Sequence, residues 1–250
     1  MIFKLSRQRM LATAILTLSI SALLMPGVVT AQENDGWDFR ITPYLWALSL
    51  DGTTAAAGAD VPLDSSFSDI LDLLNFALSA NMEWNNGSMF VVLDLTYADL
   101  EAKIETGGPI GGKVEIGIIM VDALLGFSVT EHFDFYGGAR YNDQDITIVP
   151  DMMPKISLGD GWTDLVLGVR LHNDMSDKWS FTGNFDVTAA GDSDSAWNAH
   201  VMFSRKIGTN KHFDLGYRHY EVDYESGSGL ELFKWDVAHS GPVVGFSWEF

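Results

Sequence analysis

The sequence predicts an all-β fold, a transmembrane antiparallel up-and-down β-barrel of about ten strands, and three observations predict it. Apolar and polar residues alternate with period two along most of the chain, the connections between alternating segments are short and long by turns, and aromatic residues gather at two heights. Together these describe a sheet closed on itself, with lipid on one face and a polar interior on the other.

The alternation is clearest over 178–190, where Trp179, Phe181, Gly183, Phe185, Val187 and Ala189 interleave with Ser180, Thr182, Asn184, Asp186 and Thr188. Successive strand side chains point to opposite faces, so this segment has one greasy face and one polar face. Over 75–84 Phe76, Leu78, Ala80, Met82 and Trp84 share a face, and over 195–204 Trp197, Ala199, Val201 and Phe203 do so. The same test predicts strands over 37–50, 75–84, 88–104, 113–128, 133–148, 161–172, 178–190, 195–206, 211–225 and 231–250. Dividing one hairpin differently makes the number eight or twelve.

The connections at 85–87, 129–132, 173–177 and 207–210 are tight, whereas 51–74 and 150–160 are long. In an outer-membrane barrel the short turns are periplasmic and the long loops extracellular. The longest loop carries a short helical pattern: Phe67, Ile70, Leu71 and Leu74 share a face, and Asp69 follows a capping Ser66 by three residues. A helix over 66–74 either closes the barrel mouth as a plug or lies on its outer rim.

The third observation separates a barrel from a soluble sandwich. A water-exposed sheet face carries many charges, Lys above all. Here the polar face is Ser, Thr, Asn and Gly with a few acids and arginines, as a narrow lumen requires. Trp84, Phe127, Phe133, Trp179, Phe203, Phe213, Trp248 and Phe250 lie beside the tight turns or the terminus, and Trp46, Tyr97, Tyr141, Trp162 and Trp197 lie near the long loops. Those are expected as two interfacial girdles. A lipid-exposed strand leaves no unpaired backbone edge only in a closed barrel.

Residues 1–31 read as an export signal. Lys4, Arg7 and Arg9 precede an apolar run over 11–29, and Val29-Thr30-Ala31 fits small-residue cleavage, leaving 32–250 as the barrel. Of 15 Lys and Arg and 34 Asp and Glu, the signal removes three bases, leaving 12 against 34 and a net charge of −22. Such a surface excludes nucleic acid as a partner. With no cysteine there is no disulfide framework, thiolate zinc site or Cys nucleophile.

The stretches ITPYLWALSLDG (41–52), SFSDIL (66–71), GGARY (137–141), LGYRHYEVDY (215–224) and SGPVVGFSWEF (240–250) resemble an uncharacterised family of small Gram-negative outer-membrane barrels, broadly like OmpA and OmpW in construction. The resemblance covers essentially the whole mature chain. It implies fold and outer-membrane location, with outer-membrane lipids and the barrel-insertion machinery as partners, but no activity. The terminus is similar to the insertion signal of such barrels, with Gly245, Trp248 and Phe250 at its spacing, although Val243 stands where the pattern has a polar residue.

Asp94, Asp122, Arg140, Asp164, Asp186, His200 and Arg218 point inward about eight to twelve residues from their turns, a band across the barrel's middle. The band is either a selectivity ring in a porin-like pore or a set of mutually paired charges in a filled lumen; a barrel this narrow favours pairing.

Catalytic candidates are few. His200 and Ser204 are four residues apart along a strand, too far for a base to activate a hydroxyl. His219, Glu221 and Ser240 are the one arrangement able to supply base, carboxylate and nucleophile, with His239 beside Ser240; ordinary interfacial polar residues are the plainer reading. His219 and His239 without a third ligand do not make a metal site. Gly107-Gly108-Pro109-Ile110-Gly111-Gly112 lacks a phosphate-loop Lys and reads as a turn. No cofactor or metal is expected. The first reading is therefore a monomeric, non-enzymatic barrel with a charge-paired lumen, structural or narrow-pored, against a lipid-modifying enzyme or a surface adhesin.

One detail concerns the last strand. Phe246, Trp248 and Phe250 are apolar on even positions, whereas Trp235 and Val237 are apolar on odd ones. A bulge near Pro242 is expected to switch the faces.

Overall fold

In the computed structural model the described residues are 36–56, 59–104, 112–150 and 155–250. The export signal expected over 1–31 and most of the glycine-rich turn at 107–112 lie outside them. Among the described residues no helix is long and apolar enough to cross a membrane.

Among the described residues twelve strands are present: β1 (Asp38–Trp46), β2 (Ser49–Ala56), β3 (Ala59–Ser65), β4 (Leu74–Asn85), β5 (Met89–Ile104), β6 (Gly112–Thr130), β7 (Phe133–Pro150), β8 (Ile156–Ser176), β9 (Trp179–Gly191), β10 (Ser195–Lys206), β11 (Lys211–Ser226) and β12 (Phe233–Glu249). One helix, α1 (Phe67–Leu73), precedes β4. Ten strands close the barrel: β1 pairs with β4, each strand from β4 to β12 pairs with the next, and β12 returns to β1 through Ile41 opposite Trp248 and Tyr44 opposite Gly245. The ten-stranded closed barrel stands as predicted. The first expected strand, however, divides between β1 and β2, and β2 with β3 forms an extra hairpin inside what the sequence reads as loop 51–74. β2 continues the closure upward by pairing with the upper part of β12.

Short turns explain the register at the lower end. Asn86 Oδ1 accepts the backbone N–H groups of Ser88 and Met89 at 3.0 and 2.9 Å, and Gly87 takes φ +82°, a conformation in which a side chain is strained. The hairpin so fixed sets Trp84 opposite Val91 and Asn81 opposite Asp94, which puts the polar members of both strands on the inner face.

A membrane crossing needs about 9–11 residues, yet β6 has 19 and β8 has 21. The excess lies at the long-loop end, and there the pattern inverts. On β5 the outward residues are Val91, Leu93, Leu95 and Tyr97, then Asp99 and Glu101; on β11 they are Phe213, Leu215 and Tyr217, then His219, Glu221 and Asp223. Inward, the upper positions hold Leu100, Ile118, Ile146, Val222, Trp235 and Val237, all buried. Below the boundary the wall faces lipid outside and polar groups inside; above it the wall faces water outside and an apolar core inside.

This inversion corrects two expectations. β12 pairs with β11 without a register shift from Lys211 opposite Trp248 to Ser226 opposite Phe233, so no bulge switches its faces. The environment changes, not the backbone parity. The irregularity lies instead on the partner side, where β1 gives way to β2 at Ala47-Leu48. The Ala47 N–H donates to the Pro242 carbonyl at 2.8 Å, and a Cβ on Gly241 would sit 1.9 Å from the Ala47 carbonyl oxygen, so only glycine admits that approach. The upper girdle is the second correction. Tyr97, Tyr141 and Trp197 do point outward, but Trp46 and Trp162 point inward and are buried. They sit above the membrane boundary, where the apolar face is the inner one.

Candidate functional site

The lumen is built in three layers. At the short-turn end a polar vestibule of about 310 Å³ is lined by Arg40, Asn81, Glu83, Arg170, Asn184 and His200, among others. Ion pairs brace its wall, among them Arg40 with Asp214 at 3.0 Å and Arg170 with Glu83 at 3.0 Å. Ser204 and Ser247 also donate to Asp214, and the Arg170 guanidinium lies 3.7 Å from the Phe90 ring centre. Phe90 has space for this because Gly126, directly opposite on β6, has no side chain; a Cβ there would meet the ring at 2.0 Å.

Across the middle runs a charge network. Arg140 donates to Asp122 at 2.6 and 3.2 Å and to Asp186 at 2.8 Å. Arg218 donates to Asp94 at 3.1 Å, to Asp122 at 3.3 Å and to Asn198 at 3.0 Å. The remaining carboxylate lone pairs accept from Tyr44 and Asn81 at Asp94, and from Tyr136 and Asn198 at Asp186, all within 2.9–3.0 Å. Removing these ions from water costs several kcal/mol each, and such dense mutual pairing is what offsets it.

Five of the seven residues in the expected band, Asp94, Asp122, Arg140, Asp186 and Arg218, therefore meet in one network. The other two do not. Asp164 stands opposite Arg140 in register, yet its Oδ1 accepts the N–H groups of Asp192 and Ser193 and so ties down the β9–β10 connection. His200 lines the vestibule, and its Nε2 has no hydrogen-bond partner among the described residues. The sequence reading missed Tyr44, Tyr136, Asn81 and Asn198, although they share inward parity with the charges. Extending the alternation to uncharged donors would have found them.

The third layer fills the upper lumen with an apolar core. Trp46 and Tyr220 sit over the network, each ring centre 4.9 Å from a guanidinium, of Arg218 and Arg140 respectively. Above them Trp162 stacks on Tyr224 at 4.2 Å, and Trp235, Phe233, Val237 and Leu50 complete an apolar core. Ile70 of α1 belongs to that core, so the helix packs on the mouth and contributes to the plug, while Phe67 stays exposed. Its start is capped as expected: the Asp69 carboxylate accepts from the Ser66 hydroxyl at 2.5 Å and from its N–H at 2.9 Å. Those two bonds hold the Asp69 carboxyl below its ordinary pKa.

On the outer wall the residues weighed as a catalytic set do converge. His219 Nδ1 lies 2.7 Å from Ser240 Oγ, and His219 Nε2 lies 3.5 Å from Glu221 Oε2. Trp197 lies over the imidazole with ring centres 4.4 Å apart, and its Nε1 donates to the same Glu221 oxygen at 3.1 Å. His239 points the other way into the core, wholly buried, so the two histidines cannot share a metal ion. Of the insertion-signal residues, Gly245 faces the lumen against Tyr44, and Phe250 is exposed on the lipid side with Trp248 on the same face.

No protein-family model and no curated relative matches the chain. Among solved structures it is similar to the outer membrane protease OmpT from Escherichia coli, with TM-score 0.60 and 8% identity over 87% of this chain and 98% of that one. It also aligns with the translocator domain of autotransporter NalP from Neisseria meningitidis (TM-score 0.43, 13% identity, 98% of this chain and 97% of that one). A further alignment is with Ail of Yersinia pestis (TM-score 0.37, 13% identity, 86% and 99%). At these identities the likeness is one of fold. The chain has the fold of an outer-membrane β-barrel, and with its lipid-facing band that places it in the outer membrane.

Proposed function

We propose that this protein is a non-conducting, structural barrel of a Gram-negative outer membrane, exported by a cleaved signal at 1–31 and working as a monomer. The observation that carries this reading is the double closure of the lumen: a paired Arg140–Asp122–Arg218 layer lies directly beneath an aromatic core that includes Trp46, Tyr220 and Trp235. An ion crossing it would have to break the network and then enter an apolar layer, and both steps are costly. The interior is thus filled as in other narrow barrels, and we group its hairpin-by-hairpin construction with small barrels such as OmpA and OmpW. Outer-membrane lipids and, through the terminal Gly245, Trp248 and Phe250, the insertion machinery are its proposed partners.

Refolded protein in liposomes tests this. Swelling in isotonic arabinose is expected to match that of protein-free liposomes, and swelling that rises with protein content would refute the reading. Surface adhesion through the acidic upper collar has no residue pattern of its own.

A further inference from the structure

A second feature lies on the opposite side of the wall from the closed lumen and does not depend on it. Ala199, His219, Ser240 and Ser49 occupy one row across β10, β11, β12 and β2, in register and all facing outward. Immediately below, Tyr217, Pro242 and then Leu215 and Val244 form the exposed apolar band; immediately above stand Glu221, Ala238 and Asp51. The row therefore sits where hydrocarbon gives way to headgroups, the depth at which the acyl ester bonds of a membrane lipid lie.

Within it the chemistry is arranged for nucleophilic attack. Ser240 Oγ is 2.7 Å from His219 Nδ1, the imidazole's other nitrogen faces Glu221 at 3.5 Å, and Trp197 holds both the ring and the carboxylate in place. A nucleophile within hydrogen-bond reach of a base that a third group orients is the general signature of an activated hydroxyl. Solvated interfacial side chains have no need of a short Ser–His bond or of an aromatic ring fixing the imidazole.

We propose that Ser240, His219 and Glu221 form a lipid-facing hydrolytic site for fatty acyl esters of outer-leaflet lipids. Ser240 Oγ attacks the ester carbonyl carbon while its proton passes to His219 Nδ1. The tetrahedral adduct collapses, the bond to the alcohol oxygen breaks, and His219 returns the proton to the departing alkoxide, which leaves as an alcohol. Water, deprotonated by the same nitrogen, then attacks the acyl-serine carbonyl; the bond to Ser240 Oγ breaks, His219 returns the proton to that oxygen, and the fatty acid leaves. Glu221 stabilises the imidazolium at Nε2 during both transfers. Ser49, opposite Ser240 in register, brings a second hydroxyl to the row, at present donated to the Ser240 carbonyl oxygen at 2.9 Å.

The full-length chain, exported and purified as the folded barrel, is incubated in two arms, with phosphatidylethanolamine vesicles and with purified lipopolysaccharide, and released fatty acid is measured by mass spectrometry. Release is expected in at least one arm, and the responding arm identifies the lipid. Ser240→Ala and His219→Ala are expected to lower it by about a thousandfold or more, and Glu221→Gln by less. All three positions face outward, and the folded state of each variant is verified by its faster migration on an unheated gel. In parallel, a fluorophosphonate probe is expected to modify Ser240 in the wild type and to lose at least tenfold of that labelling in His219→Ala. Fatty acid release in neither arm, or release that survives Ser240→Ala in verified folded protein, overturns the proposal. Either result leaves the closed-lumen reading to its own swelling test.

Discussion

Arg140 binds two carboxylates from different strands, Asp122 beside it on β6 and Asp186 from β9, and is almost wholly buried. Removing one partner from such a cluster leaves uncompensated charge in a poorly hydrated space, at a cost of about 3–5 kcal/mol. Arg140→Met is therefore expected to lower the urea-unfolding free energy of the barrel in vesicles by that amount. Adding Asp186→Asn should recover part of the loss, because it neutralises one of the stranded acids. An unchanged unfolding midpoint would mean that the guanidinium is not paired. The participants themselves were legible in the sequence, since charge at an inward parity in a narrow barrel has few alternatives to pairing. Which acid pairs with which base was not, because the choice can reach past the adjacent strand, as from β7 over β8 to β9, and the alternation along one strand carries no such information. Asp164 shows the limit: in register with Arg140, it serves a loop instead.

At the scale of an element, α1 packs on the upper core through Ile70 and is capped by the Ser66–Asp69 bonds. Asp69→Ala is expected to weaken the start of the helix, because it removes the acceptor of both Ser66 bonds, read as faster amide exchange over 67–73. The same bonds give a pH dependence. The folded-state pKa of Asp69 is depressed, so its contribution is present at neutral pH and is lost as pH falls through the folded value, below the ordinary Asp range near 4. Protection of α1 that is unchanged from pH 7 to pH 3 would contradict this. The helix and its cap were visible as a Ser-x-x-Asp step into an apolar face. The β2–β3 hairpin was not, because neither strand crosses the membrane: it pairs only above the boundary, where polar residues such as Asp51, Thr53 and Asp60 do not alternate against lipid.

The whole molecule is organised by the inversion of its faces at the membrane boundary. Period-two alternation shows which residues share a face, but not whether lipid or water lies outside it. For that reason the alternation alone puts Trp46 and Trp162 in the girdle and makes an environmental switch in β12 look like a bulge. The inversion is testable with brominated lipids, which quench indole fluorescence on contact. Of the eight tryptophans, Trp84, Trp179 and Trp248 face lipid, whereas Trp46, Trp162 and Trp235 are buried in the upper core. Replacing the first three by Phe is expected to remove most of the quenching, and replacing the second three is expected to leave it in place. The reverse outcome would place the upper barrel in the membrane.

The central claim, a lumen shut by a charge layer and an aromatic core, is tested most directly by planar-bilayer recording of the refolded wild-type barrel. The structure predicts a silent baseline at all holding potentials after insertion has been verified. Discrete, reproducible conductance steps from the wild-type protein would contradict it.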